Sequence, residues 1–183
     1  HHTFHPQLTS HMNHTPQSLA KQFCLGVYVN EVSPRLWQQT FEYLAGAVEA
    51  AAFQPQKIQA LWTIYGGDVR ARVRNDSLLL NVLKKALPGH DGNGVTLYRG
   101  ESWFLFDQDQ IGFCWSASEE VATRYAKGLN AVESGGVLLK CLAPPEAILA
   151  APQGAGLAPH EDVYICDPTS LLRLSTLALF PKF

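Results

Sequence analysis

Leu97-Tyr98-Arg99-Gly100 and Gly112-Phe113-Cys114-Trp115-Ser116-Ala117-Ser118 are the two stretches on which the reading of this chain turns. The first closes a β-like run that begins at Val95. The second closes another that begins at Ile111. A helix-like segment, Glu119 to Ala126, follows at once, with Ser118 suited to cap it and Glu119 and Glu120 suited to the positive end of its dipole. Further on, the acidic pair Glu161-Asp162 opens a third β-like run, Val163 to Cys166. Arginine, serine and acid thus fall at the edges of successive strands, an order suited to gripping an anionic dinucleotide and breaking a glycosidic bond.

Outward from these stretches the chain divides by periodicity. Strand-length apolar runs bounded by turn residues follow His90-Asp91-Gly92-Asn93-Gly94: Val95–Arg99, Ile111–Ser116, Gly136–Leu142, Val163–Cys166 and Leu171–Leu177. One helix, 119–129, interrupts them. Before Pro88 the pattern is helical. Ser33-Pro34 is a start signal, and Leu36, Trp37, Phe41, Leu44, Val48 and Ala52 recur at three- and four-residue steps. Pro55 opens a second helix carrying Ile58, Leu61, Trp62 and Tyr65, expected to end at Gly66-Gly67. A third covers 76–87 and stops at Pro88-Gly89. An earlier helix is expected over 17–29, weakened by Gly26. The expectation is an α+β chain, with a helical N-terminal half (15–90) packed on a C-terminal β core (91–183), together forming one domain over 13–183. The histidine-rich start, residues 1–12, reads as an expression tag, with Ser10-His11-Met12 as a cloning junction, and its histidines are set aside.

At 183 residues, 46% hydrophobic and 16% charged, the chain has material for a core. Its net charge of −2 gives no global footprint for nucleic acid. Arg70, Arg72, Arg74, Lys84 and Lys85 cluster locally and are read as a solvated helix face. The four cysteines, Cys24, Cys114, Cys141 and Cys166, lack zinc or disulfide spacing, so no metal is expected. No run approaches the ~20 apolar residues that cross a bilayer. A cytoplasmic protein fits, as does one secreted to act in a target cell's cytoplasm.

The candidate residues each have a chemical reason. Arg99 offers a planar fork for phosphate or ribose that lysine cannot reproduce. Gly100 lets another group approach the backbone closely. Ser116 and Ser118 share a strand face and can brace a carboxylate and an arginine. A carboxylate beside the ribose stabilises an oxocarbenium-like state, as in glycoside hydrolysis. Alternation allows only one of Glu161 and Asp162 into such a site, and the residues leave open which.

Over Val95 to Leu177 this order resembles the Arg-Ser-Glu class of ADP-ribosyltransferases, which includes toxins and arginine-specific enzymes. Leu97-Tyr98-Arg99-Gly100 is similar to the family's first-strand arginine motif, and Phe113-Cys114-Trp115-Ser116-Ala117-Ser118 to its Ser-Thr-Ser strand, with alanine in the middle. The resemblance implies an ADP-ribosyltransferase-like mixed β-sheet core and NAD as substrate. Arg99, Gly100, Ser116, Ser118 and Tyr125 would bind it, with Arg99, Ser116 and Glu161 as the catalytic set. Lys127 to Gly135 would correspond to a loop closing over the cofactor. The implied activity is a mono-ADP-ribosyltransferase acting on a protein or nucleic acid, in the manner of a bacterial toxin or effector with an immunity or antitoxin partner. An NAD glycohydrolase and a catalytically inactive binding module are the alternatives. Two places before Glu161 or Asp162 stand Pro159 and His160, where many members carry Glu or Gln, so the acceptor is left open.

Overall fold

The structure is a computed structural model that describes residues 14–153 and 162–182. The tag expected at 1–12, and Pro159, His160 and Glu161, lie outside the described residues. The chain is a mixed α+β protein. It divides after Pro88 into two compact units, the first helical and the second carrying the sheets.

The helical unit contains α1 (Pro16–Cys24), α2 (Pro34–Gly46), α3 (Pro55–Val73) and α4 (Asp76–Ala86). Three of their starts are capped by side chains that take an otherwise unpaired amide. Thr15 Oγ1 accepts from the Ser18 amide at 3.1 Å, Ser33 Oγ from Leu36 at 3.1 Å, and Asn75 Oδ1 from Leu78 at 3.1 Å. Trp37, Phe41, Leu44, Phe23 and Leu79 are buried among them, with the Phe23 and Phe41 rings edge to face at 5.1 Å.

The helix expected over 17–29 is shorter, because Gly26 adopts φ of 74° just past its end. That ending is a local glycine effect. The opposite happens at Gly66-Gly67, where α3 was expected to stop and instead runs on to Val73. Two glycines cost a helix about 1 kcal/mol each relative to alanine, whereas burying a large apolar side chain contributes about 1.5–3 kcal/mol. Trp62, Val69 and Val73 are all buried, so burial wins. Val48 and Ala52, expected on the α2 stripe, fall after that helix ends at Gly46.

Of the basic cluster, Arg74 and Lys84 are exposed as a solvated face requires, whereas Arg70, Arg72 and Lys85 are half-buried and held by internal partners. Arg70 forms a two-point ion pair with Asp76, at 3.0 and 2.7 Å. Arg72 pairs with Asp68 and donates to the Val32 carbonyl at 2.8 Å. Lys85 Nζ donates to the carbonyls of Leu44, Ala45 and Val48, closing the C-terminus of α2 where the dipole favours a cation.

The second unit holds β1 (Val95–Ser102), α5 (Trp103–Asp107), β2 (Cys114–Trp115), α6 (Glu119–Lys127), β3 (Gly136–Ala143), β4 (Ile148–Ala150), β5 (Tyr164–Cys166) and β6 (Leu172–Phe180). They form two three-stranded sheets, β1-β3-β6 and β2-β5-β4. Their ladders are antiparallel rather than mixed, because each strand meets a neighbour running back toward it. The one parallel pairing among the described residues is an isolated bridge between Gly89 and Ala150. Tyr98 and Ser116 exchange backbone hydrogen bonds of 2.7 and 2.9 Å, which join β1 to the end of β2. The strand sequence across the unit is therefore β4-β5-β2, then β1-β3-β6. Leu97, Val137, Leu139 and Cys141 of one sheet meet Trp115, Ile148 and Cys166 of the other in a common apolar layer. No helix among the described residues is long and apolar enough to cross a membrane.

Candidate active site

Strand alternation sends Leu97, Arg99 and Glu101 to one face of β1 and Tyr98 and Gly100 to the other. Leu97 lies in the layer between the sheets. Beyond it, the Arg99 side chain is 21% exposed and the Glu101 side chain 1%. Arg99 Nε donates to Glu101 Oε2 at 2.7 Å, and Nη1 to the Cys114 carbonyl at 2.8 Å. Glu101 Oε2 also accepts from the Gly112 amide at 2.9 Å, and Oε1 from the Ser102 amide at 2.9 Å. Gly112 lies flat on the guanidinium, since a β-carbon there would collide with Nη2, Cζ and Nε. Burial pushes the Cys114 thiol up, and the Arg99 charge pulls it partly back.

Ser116 sits at the bridge to β1. Its Oγ accepts from the Ser118 amide at 3.0 Å, and Ser118 Oγ accepts from the Val121 amide at 3.2 Å, so the two hydroxyls together set the start of α6. Among the described residues neither hydroxyl bonds Arg99.

Gly100 faces α6. A β-carbon on it would collide with the Ala122 carbonyl and the Ala126 backbone, and one on Gly136 of β3 would meet the Ala126 carbonyl. The close approach that Gly100 permits is therefore made by a helix, and its carbonyl accepts from the Asn130 amide group. Tyr125 lies further along α6, 44% exposed. With Val121, Arg124, Gly128 and Leu129 it lines an open cavity of about 340 Å³. Residues 128–135 are tied down. Besides the Asn130 contact, the Phe104 amide donates to Ser134 Oγ and the Trp103 amide to the Gly135 carbonyl, both at 2.9 Å.

Of the acidic pair, Asp162 is described. Tyr164 pairs with Trp115 in the antiparallel β2–β5 ladder, so the chain entering β5 arrives beside the end of β2 that carries Ser116. The Tyr164 phenol is pushed up by burial and then by the nearby charge of Asp162. The structure thus brings Arg99, Ser116 and the approach to β5 onto neighbouring strands, and sets Gly100 and Tyr125 around α6.

Glu101 and Gly112 are absent from the sequence-based set. The signal for Glu101 was present, since a strand residue two places after Arg99 must share its face. Nothing local marks Gly112, whose partner stands on another strand. Among the described residues no three His, Cys, Asp or Glu side chains gather as a metal site. No family model, no curated protein and no solved structure matches this chain.

Proposed function

We propose that the chain is an NAD-dependent mono-ADP-ribosyltransferase built on an ADP-ribosyltransferase-like core. The observation that carries this reading is the adjacency of three motifs: Arg99 on β1, Ser116 at the bridge from β1 to β2, and the acidic approach to β5 beside Ser116. In this reading the outer edge of the Arg99 guanidinium binds the pyrophosphate of NAD. The bond between nicotinamide and ribose breaks with its electron pair leaving on nicotinamide. Glu161, or Asp162 in its place, stabilises the positive charge that develops on the ribose. The acceptor nucleophile bonds to the same carbon and gives up its proton.

A second reading, an inactive binding module on the same scaffold, is favoured by one feature. Arg99 already directs Nε and Nη1 at protein acceptors. Incubation with tagged NAD and lysate protein, RNA and DNA separates the readings. Label on a macromolecule is the expected result. Nicotinamide release without label would make the chain an NAD glycohydrolase, and intact NAD would favour the binding module.

A further inference from the structure

We infer that Glu101 is a positioning residue that sets the direction of the Arg99 guanidinium toward its ligand, an inference that rests on the NAD reading above. A buried carboxylate with a single partner would be costly, but Glu101 receives three donors: Arg99 Nε, the Gly112 amide and the Ser102 amide. Two of those donors are backbone groups on different segments, so the carboxylate has little freedom to move. It grips Arg99 at Nε, the inner corner of the fork. The Cys114 carbonyl takes one Nη1 proton, and Gly112 closes one face of the plane. Nη2 has no hydrogen-bond partner among the described residues and is the atom left to meet an anion. A guanidinium fixed at its inner corner loses less freedom on binding than one that must be ordered by the ligand.

This arrangement separates Glu101 from a general core contribution, because its effect on ligand binding must pass through Arg99. NAD affinity measured by calorimetry on Glu101→Gln, Arg99→Lys and the double variant tests this, alongside thermal melts of each. Glu101→Gln is expected to weaken NAD binding about tenfold or more, the effect of losing a charge-assisted hydrogen bond. In the Arg99→Lys background the same change should add about twofold or less, because coupled residues are non-additive. Turnover should show the loss in KM for NAD, with kcat at saturation nearly kept. If Glu101→Gln does not fold, Gly112→Ala carries the test. It removes no partner but presses a β-carbon on the guanidinium, and it should weaken NAD binding in a folded protein. NAD binding that Arg99→Lys weakens but the folded Glu101→Gln or Gly112→Ala variant leaves unchanged would overturn this inference alone. Equal losses for Glu101→Gln in both backgrounds would do the same. A parent chain that binds no NAD would overturn the reading beneath it as well.

Discussion

Neighbouring residues of an extended chain turn their side chains to opposite sides, so the sequence lets only one of Glu161 and Asp162 serve a given site. A carboxylate aimed at a developing positive charge is worth several kcal/mol where water is scarce, and its loss should slow the reaction ~10²-fold or more. Glu161→Gln, which keeps the shape and removes the charge, is therefore expected to retain NAD binding and nearly abolish transfer. Asp162→Asn should do far less. Rates for the two variants measured together decide it: an inactive Asp162→Asn with an active Glu161→Gln would reverse the assignment. The buried thiols make a separate prediction. Burial raises Cys141 from its ordinary 9.0 to about 11 and raises Cys166 as well. Tyr28, half-buried and bonded to Asp68, is pushed up to about 12, first by its loss of water and then by that bond. As the pH climbs past about 9, the unfolded chain loses thiol protons that the folded one keeps, so stability falls. The contribution is complete below about pH 9 and disappears as the pH rises through the raised values. Melting temperatures followed from about pH 8 to 11 should decline, and a level profile would contradict the burial of these groups.

Between α6 and the sheet, contact depends on two missing side chains, at Gly100 and Gly136. Gly100→Ala should push the helix off β1 and cost about 1–3 kcal/mol, as overpacking of a tight contact does. A lower melting temperature with unchanged helix content is the expected record, and an unaltered melt would mean that the helix yields freely. The start of α6 was legible because a cap is a local device: Ser118 and the acids after it announce it within three residues. The course of α3 through Gly66-Gly67 was not legible, since the burial that overrides the two glycines comes from residues remote in sequence. The run expected over 111–116 shrinks to Cys114 and Trp115 for a similar reason, as the Gly112 amide goes to the Glu101 side chain instead of a ladder. The short β4 and α5 carry too few residues to show a period. At the candidate site, Arg99 and the serines stood out by motif, whereas the face of β1 that Gly100 shares with α6 required the fold.

For the molecule as a whole, the change of periodicity near residue 90 coincides with the division after Pro88. The expectation from sequence is nevertheless one domain over 13–183, because the apolar stripes of the helical half are broader than a lone layer of helices needs. Segments 13–90 and 91–183 expressed apart should then fail to fold as separate units, while the full chain melts in one transition. Two folded, independently melting pieces would establish two domains. The ties at Asn130, Ser134 and Gly135 have a kinetic meaning too. A segment held at three points must break three hydrogen bonds to swing away, each about 0.5–1.5 kcal/mol net, and it has no cheap open form to visit. A ligand arriving on that side meets a standing surface, without a door that has first to open. Stopped-flow binding should accordingly show one exponential phase whose rate climbs in proportion to ligand concentration, with no plateau set by a slow opening step.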